Sequence, residues 1–182
     1  MRVGIYGGTF DPIHNGHLHV IEQLITRNIV DYLLVVPAGQ PLLRTSGPSV
    51  EGFHRRNMCQ LAISELNPEI KKRIEVNPIE VLRMGPSYAI DTVEAVKQAY
   101  PDDELVLVLG TDAYEKIDQW HRASELKDLV TFEVIQRPDH PISGARDIDA
   151  LNISATQVRN KESEEIPPSV KQYIQENHLY GN

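Results

Sequence analysis

The sequence predicts a single α/β domain, in which a mainly parallel sheet carries helices on both faces. Short apolar, β-branched segments alternate with segments of helical periodicity along the whole chain. Strands separated by helical segments of this length are typical of parallel pairing, because a parallel pair needs a long crossover connection. The 182 residues, 41% of them hydrophobic, are enough for one domain with a substantial core.

The first half of the chain supplies three predicted strands and two predicted helices. The apolar residues 3–6 predict a buried strand, and residues 16–27 predict a helix because apolar side chains recur on one face. Residues 32–36 form a second apolar, β-branched run that ends at a proline. The stretch 51–66 predicts a second helix, and 73–77 predicts a short strand.

The second half continues the same alternation. Residues 87–100 predict a helix with an apolar stripe, and the proline that follows ends it. Residues 105–109 are the most apolar strand, and residues 130–135 predict another strand before an Arg-Pro pair. A helix from about residue 154 and a last helix over 169–176 complete the predicted elements.

Two segments can be marked off within this domain. Residues 38–50 are rich in Gly, Pro and Ser, and they predict either a mobile flap over a site or a plain surface loop. Residues 154–182 form a C-terminal helical part. Because we find no internal repeat, low-complexity tract or linker, residues 1–182 are expected to form one domain.

Charge and cysteine usage exclude several classes of protein. The net charge of −8 argues against a general nucleic-acid binder, which would carry a basic patch. The single cysteine, Cys59, lies in an apolar stretch and fits a core thiol in a reducing, cytoplasmic setting. No apolar run approaches the ~20 residues of a membrane helix, so we expect no membrane partner.

Residues 7–18, directly after the first predicted strand, are the most informative segment. Two glycines end the strand, and His14 and His17 lie three positions apart at the start of the next helix. Free backbone N–H groups, a helix N-terminus and two imidazoles suit phosphate oxygens. The alternative is a tight turn with two surface histidines. The pattern matches neither the G-x-G-x-x-G fingerprint nor a P-loop.

A second segment with the same chemistry is 153–159. Ser154 is placed to cap a helix, and Arg159 would project from its second turn. A helix N-terminus with hydroxyls and a guanidinium can also hold phosphate. Taken alone, this segment is better explained as a capped helix with a surface arginine. Its weight comes from its occurrence together with the two histidines.

Together the two segments resemble the motifs of the nucleotidylyltransferases, which are α/β enzymes with a Rossmann-like, doubly wound sheet. Within that superfamily the chain is most similar to the bacterial nicotinate-nucleotide adenylyltransferases. This finer resemblance rests on 86–92, 110–112, Trp120 and 137–138, in the family's order and at comparable spacing. The resemblance covers nearly the whole chain, which implies one nucleotidylyltransferase domain over 1–182.

The resemblance implies an ATP site built from both segments. Three catalytic residues would contact the phosphates: His17 at the α-phosphate, with His14 and Arg159 at the outer phosphates. The residues expected to line the rest of the ATP pocket are Gly8, Thr9, Phe10, Gly110, Asp112, Ile153, Ser154 and Thr156.

The resemblance also implies a site for a pyridine mononucleotide. Trp120 matches an aromatic residue that stacks on the pyridine ring, and Arg137 matches a basic residue near the mononucleotide. The expected contacts are Gln40, Arg44, Ser87, Tyr88, Ala89, Thr92, Trp120 and Arg137. Ala89, Arg44 and His121 stand where threonine, lysine and tyrosine are common, and these departures leave acid or amide specificity open.

The implied reaction is transfer of the adenylyl group of ATP to nicotinate mononucleotide, which gives deamido-NAD and pyrophosphate. A phosphate monoester, with a second pKa near ~6, is already a nucleophilic anion at neutral pH, so no general base is needed. Mg²⁺ would accompany ATP, and no all-protein metal site is predicted. Positioning and electrostatic stabilisation would then carry the catalysis.

Two other functions remain open at this stage. The first keeps the chemistry and changes the acceptor, to nicotinamide mononucleotide or another phosphate-bearing molecule. The second is a regulatory module that binds a nucleotide and performs no reaction. A homo-oligomeric state is compatible with the sequence, which does not determine it.

Overall fold

Five parallel strands form one sheet in the computed structural model of the protein, which describes residues 1–41 and 47–181. The described strands, in chain order, are β1 (Arg2–Gly8), β2 (Tyr32–Pro37), β3 (Ile74–Val76), β4 (Glu104–Gly110) and β5 (Thr131–Ile135). Their order across the sheet is β3-β2-β1-β4-β5. The chain thus builds outward from β1 in one direction and then crosses over to build in the other. The predicted mainly parallel, doubly wound sheet is confirmed.

Helices connect successive strands. The α-helices of the described residues are α1 (Asn15–Thr26), α2 (Gly52–Ser64), α3 (Pro68–Lys71), α4 (Ile79–Leu82), α5 (Ala89–Ala99), α6 (Thr111–Tyr114), α7 (Ala123–Leu129), α8 (Ala155–Arg159) and α9 (Pro168–Glu176). Short 3-10 turns cover Ile117–Gln119 and Leu179–Gly181.

The core has two halves because the sheet is covered on both faces. Alternate side chains of a strand point to opposite faces, so Leu33 and Val35 pack with α1, α2 and α9, whereas Leu34 and Val36 pack with α5 and α7. Cys59 is completely buried in the first half, as predicted. Apolar side chains cover the central strands on both faces of the sheet. The carboxyl ends of these strands stay uncovered, and we call this end of the sheet its open edge.

Sequence periodicity identified the long elements and missed the short ones. Each predicted strand is present within two residues of its expected ends. Three four-residue helices (α3, α4 and α6) and the seven-residue α7 were not predicted. A helix of one or two turns is too short to show an apolar period. Helix α7 also lacks a side-chain cap, because Arg122 at its N-cap position has no hydrogen-bond acceptor in its side chain.

A completely buried arginine joins the two loops that follow β1 and β2. Arg55, on α2, donates from Nη1 to the carbonyl of Thr9 (2.7 Å), from Nε to that of Val50 (3.2 Å) and from Nη2 to that of Gly39 (3.3 Å). Carbonyl groups of loops need hydrogen-bond donors when they are buried, and this one side chain supplies donors to all three. Arg55 therefore fixes the loops that follow β1 and β2 relative to each other.

Across the residues that the structure describes, none of the helices has the length and apolarity needed to cross a membrane.

Candidate active site

The loop after β1 is shaped by a close contact between Gly8 and Phe10. The Phe10 ring is buried and folds back so far that a Cβ on Gly8 would lie 2.8 Å from its Cζ atom. Phe10 itself has a positive φ of 48°, which is uncommon for a bulky side chain. Glycine at position 8 thus lets the chain turn sharply from the strand toward α1.

The two histidines stack on each other at the start of α1. Their ring centroids are 3.7 Å apart, and their planes are inclined by 27°. The backbone N–H of His14 donates to Nδ1 of His17 (3.3 Å), so a neutral His17 carries its ring proton on Nε2. Gly16 permits this packing, because a Cβ there would lie 3.0 Å from Nδ1 of His14.

Both imidazoles are held in the neutral form. Burial and, to a smaller extent, the nearby Arg137 charge together lower the pKa of His14 to about 4. Burial, His14 and Arg137 together hold the pKa of His17 well below its ordinary value. At neutral pH the pair therefore acts as polar donors and acceptors. The Nδ1 atom of His14 is buried and has no hydrogen-bond partner within the described residues, which suits a site that binds a polar ligand.

Arg137 lies on the histidine side of the site. Together with His14, His17, Gly110 and Ile153 it lines a small cavity of about 40 Å³. Its backbone N–H donates to Oγ1 of Thr111 (3.2 Å), which ties the end of β5 to that of β4. A cation here favours bound anions and disfavours protonation of the histidines, in agreement with their lowered pKa values.

The second predicted segment joins the first. Ser154 caps α8: its Oγ accepts from the Gln157 backbone N–H (3.2 Å), and its own N–H donates to Oε1 of Gln157 (2.9 Å). Arg159, at the end of α8, donates from Nη1 to the carbonyl of Asp11 (2.5 Å) and from Nη2 to Oγ1 of Thr156 (3.0 Å). Residues 148 positions apart are therefore brought together beside the histidine loop.

A larger cavity lies on the other side of the β1 and β4 ends. Its volume is about 460 Å³. Of the expected mononucleotide contacts, the residues that line it are Ser87, Tyr88, Ala89, Thr92 and Trp120. Gly8 and Thr9 also line it, so the cavity begins at the loop that follows β1. Nε1 of Trp120 is buried and has no hydrogen-bond partner among the described residues.

The remaining expected mononucleotide contacts lie elsewhere. Gln40 is exposed, and its backbone N–H donates to Oγ of Ser87 (3.0 Å). Arg137 is placed with the histidines rather than among the residues that line the larger cavity. Arg44 falls at 42–46, outside the described residues. The roles assigned to all of these residues stay predictions.

Sequence reasoning missed Glu80, a buried acid in the wall of the larger cavity. Its Oε1 accepts from Oγ1 of Thr92 (2.8 Å). Burial raises the pKa of the Glu80 carboxyl, and hydrogen bonds from Thr92 and Ser87 partly oppose the shift. Glu80 lies on the four-residue α4, whose length gives no periodic pattern, so the sequence carried no signal for it.

Asp11 is a second buried acid whose surroundings were not foreseen. Only 1% of it is exposed. Its Oδ2 accepts from the backbone N–H of Ser49 (2.8 Å), and its Oδ1 accepts from the hydroxyl of Tyr180 (2.8 Å). The latter contact spans 169 positions, and no local pattern in the sequence points to it.

Comparison with known protein families agrees with this arrangement, in which two segments join beside two cavities. Residues 5–161 match the family model described as cytidylyltransferase-like. The chain belongs to this cytidylyltransferase-like family. The predicted membership of the nucleotidylyltransferases is confirmed.

Relatives along the full length refine this placement within the family. The chain is 35% identical to the probable nicotinate-nucleotide adenylyltransferase of Bacillus pumilus, over 98% of either chain. It is also 35% identical, over 98% of both chains, to the nicotinate-nucleotide adenylyltransferase of Bacillus subtilis. These relatives confirm the prediction that the protein is an enzyme of the nucleotidyltransferase class.

A solved structure shares the fold. It is the nicotinic acid mononucleotide adenylyltransferase of Plasmodium falciparum complexed with NaAD. It aligns with a TM-score of 0.74 and 23% identity, covering 98% of this chain and 97% of that one. The same enzyme complexed with APC aligns with a TM-score of 0.70 and 24% identity, covering 98% and 96%. The Rossmann-like sheet is thereby confirmed over the length of the chain.

Proposed function

We propose that this protein transfers the adenylyl group of ATP to nicotinate mononucleotide and releases pyrophosphate, forming deamido-NAD for NAD biosynthesis. The observation that carries the proposal is the junction of the two phosphate-binding segments beside a cavity large enough for a second nucleotide. The relatives with this activity cover 98% of the chain, which supports the same chemistry.

The reaction is an in-line displacement at the α-phosphorus of ATP. An oxygen of the mononucleotide's 5′-phosphate forms the new P–O bond, and the bond to the bridging oxygen of pyrophosphate breaks. The electron pair of that bond leaves with pyrophosphate. Because the attacking phosphate is already an anion near neutral pH, the site needs no base to activate it.

The stacked histidines stabilise charge on the transferring group. Nε2–H of His17 donates to an α-phosphate oxygen, while His14 supports the ring and faces the outer phosphates with Arg159. Neutral imidazoles fit this role, since donation requires no proton transfer. Mg²⁺ enters with ATP as part of the substrate and neutralises phosphate charge. Within 1–41 and 47–181, no three His, Cys, Asp or Glu side chains are grouped to hold a metal ion.

The pyridine ring occupies the larger cavity against Trp120. The position of Glu80 in the cavity wall favours a second acceptor, nicotinamide mononucleotide. A carboxylate there can accept a hydrogen bond from the amide of nicotinamide and repels the carboxylate of nicotinate. Its hydrogen bond from Thr92 and its raised pKa reduce that repulsion, so the acid remains the preferred substrate. A homo-oligomeric state and a cytoplasmic location stay predictions.

Pyrophosphate release with Mg-ATP tests the proposal, with nicotinate and nicotinamide mononucleotides compared in parallel. We expect a higher kcat/KM with the acid. A higher kcat/KM with nicotinamide mononucleotide would instead identify the amide as the preferred substrate. ATP binding without pyrophosphate release from either substrate would contradict the proposed reaction and favour a regulatory module.

A further inference from the structure

The C-terminal turn, Leu179–Gly181, packs against the loop that follows β1. Leu179 is buried in the core with the α2 and α9 side chains, and Tyr180 follows it with left-handed backbone angles (φ 58, ψ 27). A bulky residue adopts these angles only where its surroundings hold it there. The hydroxyl of Tyr180 reaches Oδ1 of Asp11 at 2.8 Å.

Asp11 connects this tyrosine to the arginine expected at the ATP phosphates. Nη1 of Arg159 donates to the carbonyl of Asp11 at 2.5 Å and lies 3.8 Å from its Oδ2. The same Oδ2 accepts from the backbone N–H of Ser49. Tyr180, Asp11 and Arg159 therefore form one polar chain from the C-terminal turn to the guanidinium.

The hydroxyl influences how strongly Asp11 competes for Arg159. A buried carboxylate must be satisfied by donors, and each donor that it gains from elsewhere weakens its demand on the nearby cation. Without the Tyr180 hydroxyl, the Asp11 side chain can rotate toward the guanidinium and close the 3.8 Å gap. An arginine held in a close pair with a carboxylate has fewer N–H groups to offer to phosphate.

We propose that Tyr180 is a positioning residue: its hydroxyl orients the Asp11 carboxylate so that Arg159 remains available to the phosphates of ATP. Tyr180 acts through Asp11 and does not itself contact substrate. The inference rests on the proposed function, in which Arg159 binds ATP. It makes the C-terminal turn part of the nucleotide site.

The substitution Tyr180→Phe removes the hydroxyl and keeps the ring. We expect KM for ATP to rise roughly tenfold, as befits loss of one hydrogen bond to a charged group. KM for the mononucleotide should change less than twofold, because its cavity does not include this turn. A merely structural role would alter both KM values, or lower the melting temperature and leave both unchanged.

Tyr173→Phe is a matched control on the preceding helix. Its hydroxyl is hydrogen-bonded to Nδ1 of His54 (2.9 Å) and accepts from Nδ2 of Asn57 (3.0 Å), with no contact to Asp11. The two variants lose the same atom from the same C-terminal region. We expect both KM values to be those of the unmodified protein in Tyr173→Phe.

A double-mutant cycle with Asp11→Asn tests the route. If Tyr180 acts through Asp11, Tyr180→Phe has little further effect on KM for ATP in the Asp11→Asn background. Additive effects, a change under twofold in Tyr180→Phe, or equal rises in both KM values would overturn the proposal. If Tyr180→Phe is unfolded at the assay temperature, Asp11→Asn decides alone: it has no carboxylate to compete for Arg159, so its KM for ATP should not rise, and a several-fold rise there would overturn the proposal.

Calorimetric titration with ATP separates this inference from the proposed function. Weaker ATP binding by Tyr180→Phe than by the unmodified protein supports the positioning role even if no pyrophosphate is released. Equal ATP affinities contradict that role even if the unmodified protein is fully active.

Discussion

At the scale of single residues, the stacked histidines determine what the site can do. Their burial holds both in the neutral form, and the bond from the His14 backbone to His17 Nδ1 leaves the proton of His17 on Nε2. In the proposed reaction, a donor fixed in this way needs no reorganisation when charge develops on the phosphate. The close packing that Gly16 permits thus helps to fix the Nε2–H tautomer of His17 as well as the local fold.

Replacement of His17 by alanine should abolish most of the turnover. Loss of one fixed donor at a developing oxyanion costs ~10²–10³ in rate, and we expect a fall in kcat of about that size. Pyrophosphate release measures it. His19→Ala is the control on the same helix, because that ring pairs with the carbonyl of Ile148 (2.7 Å). Near-normal turnover in His17→Ala, with its fold shown intact by circular dichroism, would refute the assignment.

In the larger cavity, Trp120 is the side chain that offers a hydrogen-bond donor, as His17 does at the histidine loop. Its buried Nε1–H lacks a partner among the described residues, and under the proposed function a bound mononucleotide supplies the acceptor. Trp120→Phe keeps an aromatic surface and removes this donor. We expect KM for the mononucleotide to rise about 5–10-fold, the usual size of one hydrogen bond, with KM for ATP unchanged. Steady-state kinetics with each substrate varied in turn decide the matter, and an unchanged mononucleotide KM counts against it.

At the scale of elements, the five-residue α8 depends on its cap. So short a helix gains little from its own hydrogen bonds, and the reciprocal Ser154–Gln157 pair fixes its first turn. Arg159 ends this helix, and its guanidinium reaches the loop at Asp11. A local capping preference is thereby coupled to the position of a cation in the proposed ATP site.

Ser154→Ala should therefore affect stability and ATP binding together. Loss of a cap costs about 1 kcal/mol, or a fall of roughly 2–4 °C in the melting temperature of a chain of this size. KM for ATP should rise as well. Asn67→Ala removes the matched cap of α3, which accepts from the Glu69 backbone N–H (2.9 Å). That control should lose similar stability at an unchanged KM, and a normal KM for ATP in Ser154→Ala would separate the cap from the site.

Elements also mark how far the sequence can predict. The strands and long helices follow from apolar periodicity, and the His14–His17 and Ser154–Arg159 segments from phosphate chemistry at helix starts. The contacts that join these segments cross 148 or more positions and depend on which loops share the open edge of the sheet. Glu80 shows the same limit, since its burial follows from where α4 packs.

At the scale of the whole molecule, the buried histidine pair makes stability depend on pH. Unfolded His14 takes up a proton near its ordinary pKa of 6.5, whereas folded His14 has a pKa of about 4. Between these values the unfolded state binds more protons, so stability is fully present above pH 6.5 and falls as the pH drops toward 4. His17, shifted in the same direction, adds to the loss.

The variant His14→Gln should flatten this dependence. The slope should decrease by up to about 1.4 kcal/mol per pH unit, the value for one proton. Urea unfolding of both proteins at several values from pH 7 to 4 gives the difference. The raised pKa of Glu80 acts with the opposite sign, but it is common to both proteins and cancels in the comparison. Parallel curves would mean that His14 titrates alike in the folded and unfolded chains, and the neutral stacked pair would then be wrong.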